Sequence, residues 1–182
     1  MKGSRLYLTN NQNTRPLKDL VRESIFNLLE HSKKILFRFE KSNILDLYAG
    51  TGSFGLECIS RNSKKVFFVE NEKETIKTLE KNLKKLKIKD KAQIFFGDAF
   101  NFLEKKNINK EKFNLIFCDP PYKTKDIQKL IELIFYCNLL DKNGIVILHR
   151  NKSTKERFPN YFEIIEERIY GISKIIFGKF LS

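Results

Sequence analysis

The 182-residue sequence predicts an α/β fold, in which a mainly parallel seven-stranded sheet ends in an antiparallel hairpin. Five short apolar runs alternate with helical stripes from Asn43 onward. Continuous apolar strands of this kind are typical of a parallel sheet that helices cover on both faces. The tail differs, because two β-rich runs are separated by Tyr170-Gly171-Ile172-Ser173, which indicates a hairpin.

The predicted elements follow one another closely along the chain. A short strand at 6–8 precedes a helix that begins near Thr14-Arg15-Pro16, since proline is favoured at helix starts. That helix has one apolar face, formed by Leu17, Leu20, Val21, Ser24, Ile25, Leu28 and Leu29. The predicted strands are 44–48, 66–69, 92–96, 113–118, 144–148, 162–169 and 174–180. Helices are predicted near 54–60 and 100–105, and as stripes at Ile76, Leu79, Leu83 and Leu86 and at Ile127, Leu130, Ile131, Ile134 and Phe135.

Length and composition predict one domain over residues 1–182, in which 1–41 form a basic arm and helix. The formal net charge of +13 favours a polyanionic partner, although a lysine-rich composition spread over solvated faces is the plain alternative. No apolar run approaches the roughly 20 residues of a membrane span. Cys58, Cys118 and Cys137 lack metal-ligand spacing, so we expect reduced cysteines in a cytoplasmic protein without a metal site.

The tetrapeptide Asp119-Pro120-Pro121-Tyr122 follows the predicted fourth strand. Two prolines continue neither a sheet nor a helix, so the backbone must leave the strand in a stiff turn. An ionised carboxylate and proline carbonyls are acceptors, and the tyrosine adds a flat face. This combination suits an amino group on an aromatic ring, such as a nucleobase. The alternative is a proline-rich turn with an exposed acid.

Three acids stand at or near other strand ends, namely Asp46, Glu70 and Asp98. Ligands of open α/β sheets bind beside these carboxyl ends, and glycines at 50 and 52 allow close backbone approach. Gly50-Thr51-Gly52-Ser53-Phe54-Gly55 also fits a dinucleotide fingerprint, so a NAD-dependent oxidoreductase is a rival interpretation. Asp46 suits an amine-bearing ligand better than a pyrophosphate, and this favours S-adenosylmethionine.

The motifs from Leu45 to Glu57, Val69 to Asn71, Gly97 to Ala99 and Asp119 to Tyr122 resemble the Rossmann-like class I methyltransferases that modify exocyclic amines. With Arg15-Pro16, Val21-Arg22-Glu23 and Tyr170-Gly171, the chain is similar to the RsmD family of bacterial 16S rRNA guanine-N2 methyltransferases. The resemblance implies a monomer that acts on 16S rRNA or a small ribosomal subunit particle, with S-adenosylmethionine as cofactor. It implies that the cofactor is bound by Asp46, Tyr48, Gly50, Gly52, Glu70, Asn71, Asp98 and Ala99. It implies catalytic roles for Asp119, Pro120 and Tyr122, and substrate contacts from Arg15, Arg22 and Tyr122.

Two positions depart from the family pattern. His149-Arg150 stand where the family tends to have an acid, and Leu17 replaces a threonine. Two further alternatives stay open from sequence. A DNA adenine-N6 methyltransferase would use the same tetrapeptide, but the chain leaves little room for a DNA-recognition domain. A non-catalytic RNA-binding protein on this fold would not need an acid at every expected turn.

Overall fold

The computed structural model describes residues 6–7, 19–104 and 111–181. Seven strands form one sheet in the order β3-β2-β1-β4-β5-β7-β6, which confirms the predicted fold class. The first five strands are parallel, while β7 pairs antiparallel with β5 and with β6. The strands are β1 (Asn43–Leu47), β2 (Lys65–Glu70), β3 (Ala92–Phe96), β4 (Phe113–Cys118), β5 (Leu140–Asn151), β6 (Phe162–Tyr170) and β7 (Ser173–Phe180).

Five α-helices cover the sheet in the described part of the chain: α1 (Asp19–His31), α2 (Ser53–Ser60), α3 (Lys73–Leu86), α4 (Ala99–Glu104) and α5 (Ile127–Tyr136). Two separate apolar clusters pack against the two sheet faces. One cluster takes residues from α1, α2 and α3, and the other takes residues from α4 and α5. The apolar strands β1, β2, β4 and β5 are therefore largely buried on both faces, as their sequences predict, whereas β3 at the edge of the sheet is only partly buried.

The first helix packs through a narrower face than its sequence predicts. Val21, Ile25 and Leu29 are buried, but Leu20 is 68% exposed. Phe26 is buried instead and stacks on Phe54, with ring centroids 5.2 Å apart. The seven positions of the predicted face, four of them leucine, span a wide sector of the helix, so periodicity alone did not exclude Leu20. Residues 14–18 and Leu8 lie outside the described residues, and 6–7 are not in a strand.

The fifth strand is longer than predicted, and this change bears on the functional site. It runs from Leu140 to Asn151 because its second half gains β7 as an antiparallel partner, pairing Val146 with Gly178 and Asn151 with Ser173. His149 and Arg150 therefore lie inside a strand, beside the end of β4. The hairpin loop between β6 and β7 shortens to Gly171-Ile172.

Candidate active site

The glycine turn after β1 is fixed by contacts that only glycine permits. Gly52 has a φ of 85° and directly precedes α2. A Cβ placed there would lie 2.4 Å from Leu79 Cδ1 on α3. Gly55, one turn later, would place a Cβ 2.3 Å from the Phe68 ring of β2. The turn thus lies close against its neighbours, and the N–H groups of Gly50 and Gly55 donate to the carboxylates of Glu70 and Asp46.

Tyr48, which begins this turn, has a left-handed backbone with a φ of 65°. Such a conformation is unfavourable for a bulky residue and is found preferentially at functional sites. Its hydroxyl is buried without a hydrogen-bond partner among the described residues. Burial, followed by the nearby Cys118 and Asp98, raises the pKa of Tyr48. The tyrosine thus stays neutral, and nothing in the described part of the chain satisfies its hydroxyl.

Asp46, on β1, is 1% exposed, and its carboxylate accepts a hydrogen bond from the Gly55 N–H at 3.0 Å. Burial raises the pKa of Asp46 well above its ordinary range, and the charges of Asp119 and Glu70 raise it further. The Gly55 hydrogen bond acts in the opposite direction. Because β1 pairs in parallel with β2 and with β4, the strand ends that carry these three acids lie side by side, close enough for their charges to interact.

Glu70 ends β2 and is held by three backbone donors. Its Oε2 accepts from the Gly50 N–H at 2.8 Å, and its Oε1 accepts from Asn71 at 2.9 Å and Glu72 at 2.8 Å. These bonds orient the carboxylate towards the glycine turn. Oε1 already accepts two hydrogen bonds, whereas Oε2 accepts one and keeps a further acceptor position, so the group remains able to receive a ligand hydroxyl. The side chain of the predicted cofactor residue Asn71 is exposed.

Asp98 follows β3 and caps α4. Its Oδ1 accepts from the Phe100 N–H at 2.8 Å and from the Asn101 N–H at 3.2 Å. This is the usual arrangement of an acidic N-cap, and it leaves Oδ2 without a hydrogen bond among the described residues. Ala99, the first residue of the helix, is buried at 2% exposure. The cap therefore fixes both predicted cofactor residues at the sheet edge.

Asp119 makes a contact that sequence reasoning did not anticipate. Its Oδ1 lies 2.8 Å from His149 Nδ1, and His149 Nε2 lies 2.9 Å from Ser173 Oγ. The three residues come from the ends of β4, β5 and β7. The Tyr122 ring meets the His149 ring edge-on, at a centroid distance of 5.9 Å. His149 thus supports two of the three predicted catalytic residues.

The buried side chain of Arg150 holds the backbone of the Pro-Pro-Tyr turn in place. Its guanidinium is 2% exposed and donates to the carbonyls of Pro121 at 3.1 Å, Tyr122 at 3.3 Å and Thr124 at 2.8 Å. Its Nε donates to Glu156 Oε1 at 2.7 Å. Among the described residues no hydrogen bond uses the Pro120 carbonyl. The buried arginine therefore donates to three carbonyls of the turn but not to the Pro120 carbonyl, which is next to Asp119.

The structure brings together most of the residues singled out from sequence. Asp46, Tyr48, Glu70 and Asp98 surround the glycine turn, and Asp119, Pro120 and Tyr122 lie at the adjacent strand end. Arg22 lies on α1 in an ion pair with Asp19 at 2.7 Å, and within 6–7, 19–104 and 111–181 no ion pair or hydrogen bond joins its side chain to this site. Arg15 lies outside the described residues. Sequence reasoning noted His149 and Arg150 as departures, but their contacts were visible only once β5 and β7 were paired.

Comparisons with known proteins agree with this geometry. A family model described as conserved hypothetical protein 95 matches residues 1–179. The chain belongs to this family, the RsmD family. Ribosomal RNA small subunit methyltransferase D of Haemophilus influenzae is 31% identical over 172 residues, which cover 94% of this chain and 86% of the relative.

Solved structures support the same assignment. The Haemophilus influenzae protein HI0767 superposes with a TM-score of 0.76 at 29% identity, over 90% of this chain and 98% of the other. The Escherichia coli protein yhhF has a TM-score of 0.83 over 98% of this chain and 92% of the other; its 24% identity is evidence of fold alone. The fold is that of class I methyltransferases, which favours this interpretation over the NAD-dependent rival.

Three structural findings bear on the remaining expectations. Cys58 and Cys118 are buried and Cys137 is partly buried, and all three are free thiols. Within 6–7, 19–104 and 111–181, no helix is long and apolar enough to cross a membrane. Over the same ranges, no three His, Cys, Asp or Glu side chains are grouped so as to hold a metal ion. The single-domain boundary of 1–182 and the monomeric state stay predictions.

Proposed function

We propose that this chain transfers a methyl group from S-adenosylmethionine to the exocyclic N2 amine of a guanine in 16S rRNA. One observation carries the proposal. Asp119 begins a turn whose carbonyls are hydrogen-bonded to Arg150, and it lies beside the acids of the glycine turn. Family membership and the printed name of the Haemophilus influenzae relative support the rRNA substrate. The N2 position rests on the resemblance of the motifs and on the acceptor chemistry.

The residues present fit this cofactor. Glu70 Oε2 keeps an acceptor position for a ribose hydroxyl, and Asp98 Oδ2 is available to an adenine amine. The buried Tyr48 hydroxyl, which no described residue satisfies, is a polar atom that a ligand would satisfy. When bound, S-adenosylmethionine supplies an electrophilic methyl group on a sulfonium centre.

Asp119 and Pro120 then act on the nucleophile. The amine of guanine is a poor nucleophile because its lone pair is delocalised into the ring. A carboxylate oxygen of Asp119 and the Pro120 carbonyl each accept one amine hydrogen, which favours tetrahedral geometry at nitrogen and directs its lone pair outwards. Positive charge develops on this nitrogen during transfer, and acceptors fixed in advance stabilise it; the methylated nitrogen then releases one proton to water, which restores a neutral amine. The clamp on the following carbonyls keeps Pro120 in place.

Tyr122 holds the base. Its ring offers a stacking face to the purine and a π surface towards the developing cation. Its edge-on contact with His149 limits rotation of the ring. The target base must leave its stack to reach this turn, so an unpaired or flipped guanine is the expected substrate. Much of the acceleration then comes from positioning, which supplies roughly 7–11 kcal/mol in well-oriented systems.

The test is transfer of labelled methyl from S-adenosylmethionine to unmodified small-subunit rRNA, naked and in assembled particles, followed by nucleoside analysis. N2-methylguanosine in either substrate supports the proposal and identifies the substrate form. Label on DNA adenine, with none on RNA, would replace the proposal by the adenine-N6 alternative. Label on another RNA position would keep the reaction class and overturn the N2 assignment.

A further inference from the structure

Two segments that carry exposed basic side chains are both hydrogen-bonded to the buried guanidinium of Arg150. Arg150 donates to the Thr124 carbonyl at 2.8 Å and to Glu156 at 2.7 Å. Each of these two residues is flanked by a pair of exposed cations: Lys123 and Lys125, and Lys155 and Arg157. The Arg150 contacts therefore hold four cations that are about 30 residues apart in sequence around one point beside the Pro-Pro-Tyr turn. We refer to these four side chains as the basic rim.

The backbone that carries the basic rim is tied down on both sides. Lys174 Nζ donates to the Thr154 carbonyl at 2.6 Å, which fixes the second segment to β7. The Thr124 N–H donates to the Pro121 carbonyl at 2.8 Å, which closes the first segment into a turn. The cations therefore project from ordered backbone, and binding through them costs only side-chain ordering.

The charge of the basic rim is largely uncompensated. None of the four side chains forms an ion pair within the described part of the chain, whereas Lys77, Lys129 and Lys179 each pair with a glutamate elsewhere. The acids of the two segments are Asp126 and Glu156, and Arg150 already neutralises Glu156. Positive charge of this kind at the edge of a site attracts a polyanion.

We propose that the basic rim contacts the RNA phosphates that flank the target nucleotide. The proposal rests on the proposed function, because it takes the RNA as the substrate of the same site. A base inserted at Asp119 brings its two neighbouring phosphates close to the Pro-Pro-Tyr turn, to which Arg150 ties both segments of the basic rim. Phosphate contacts of this type fix register and carry no sequence preference.

Two rim variants test this proposal, together with a control variant near the amino ends of the strands. Lys155→Gln with Arg157→Gln, and Lys123→Gln with Lys125→Gln, each remove two rim charges. Lys64→Gln with Lys142→Gln removes two exposed charges near the amino ends of β2 and β5. Each phosphate contact contributes about 0.7 to the salt slope for single strands, so each rim variant should lower it by roughly 1.4. The control should keep the wild-type slope.

The readout is the affinity for an unmodified rRNA fragment at several salt concentrations, with the affinity for S-adenosylmethionine measured on the same proteins. Reduced slopes in both rim variants, with unchanged cofactor affinity, support the basic rim as the phosphate contact. Slopes equal to that of the control overturn it, even if the wild type methylates rRNA. A wild type that neither binds nor methylates rRNA overturns the proposed function instead.

A second inference comes from the chain of contacts at His149. An ionised Asp119 only accepts hydrogen bonds, so His149 Nδ1 must carry the proton that joins them at 2.8 Å. In the neutral ring, Nε2 then accepts from the Ser173 hydroxyl at 2.9 Å. His149 is 5% exposed and Ser173 is 1% exposed, so both partners are fixed by packing. Asp119 Oδ2 makes no hydrogen bond among the described residues and remains available.

We infer that His149 is a positioning residue, which fixes one oxygen of Asp119 so that the other faces the amine. The inference rests on the proposed function for its assay. It concerns a side chain that contacts the Asp119 carboxylate directly. An acid there would repel Asp119, whereas the imidazole orients it.

Two amide substitutions separate the two ring nitrogens. Asparagine places its amide nitrogen near the position of Nδ1, and glutamine places its own near Nε2. His149→Asn should therefore keep the donor to Asp119, and His149→Gln should lose it. We expect His149→Gln to lower kcat on the order of a hundredfold, as small misplacements at reacting groups do, and His149→Asn to retain most of kcat. The KM for rRNA and for cofactor should change little in both.

The melting temperature serves as the structural control, because both variants remove the imidazole. Equal loss of kcat in the two variants, or wild-type kcat in His149→Gln, would overturn the inference and leave the proposed function intact. If the wild type lacks methyl transfer to rRNA, it is the proposed function that fails.

Discussion

The two halves of the candidate site hold their acids in different ways. In the glycine-turn half, Glu70 and Asp98 are fixed by backbone N–H groups within three residues, and Glu70 by one more from Gly50. In the Pro-Pro-Tyr half, Asp119 is fixed by His149, 30 residues away. Local turns thus build the first half, and pairing of distant strands builds the second.

This difference decides how easily each half is disrupted. Backbone donors remain after a side-chain substitution, provided that the turn keeps its conformation. Side-chain donors are removed by one substitution. We therefore expect the second half to be the more fragile half, and the following predictions compare them in order of expected effect on stability.

Arg150→Met should produce the largest loss. It leaves Glu156 buried at 8% side-chain exposure without its partner and removes the donor to three carbonyls of the turn. Breaking a buried ion pair from one side typically costs about 3–5 kcal/mol. The free energy of unfolding in denaturant measures the loss. Arg150→Met with Glu156→Met should recover part of it, since no buried charge is left alone; no recovery would mean that the carbonyl contacts carry the stability.

Gly52→Ala tests the backbone of the first half. The φ of 85° and the 2.4 Å approach to Leu79 Cδ1 both oppose a methyl group, so we expect a loss of about 1–3 kcal/mol together with weaker cofactor binding. Gly171→Ala is the matched control, because Gly171 has a φ of 59° but no atom within 4 Å of an added Cβ. Thermal unfolding that shows equal losses in the two variants would exclude close packing of the turn against α3.

The same contrast explains what the sequence could predict. The seven strands, the glycine turn and the acids of the first half follow from local patterns, because residues close in sequence form them. His149 and Arg150 carry no such pattern. Their contacts depend on the antiparallel pairing of β5 with β7 and on the extension of β5 to Asn151, which the apolar run at 144–148 does not indicate. The exposure of Leu20 shows the same limit on α1, because tertiary packing and not the apolar pattern decides which residues of the helix are buried.

Asp46→Asn should have the smallest effect, and its sign depends on pH. Burial raises the pKa of Asp46 in the folded state. At pH values between the ordinary pKa and the raised pKa, the folded state therefore keeps a proton that the unfolded state has released. Stability contributed by this group therefore falls as pH rises from the ordinary pKa to the raised pKa. Asparagine still accepts from Gly55 and does not titrate. Denaturant melts across that interval should show a shallower pH slope in the variant, by at most about 1.4 kcal/mol per pH unit.

The central claim is that the first half binds the cofactor and the second half performs the transfer. The most direct test is single-turnover methyl transfer to rRNA by Asp119→Ala, with S-adenosylmethionine affinity measured on the same protein and Glu70→Ala as the matched comparison. We expect Asp119→Ala to abolish transfer with near-normal cofactor affinity. We expect Glu70→Ala to bind cofactor at least tenfold more weakly, which is on the order of one lost charged hydrogen bond. At saturating cofactor this variant should recover transfer. If Asp119→Ala loses cofactor binding as well, or if it retains transfer, the division between the two halves is wrong.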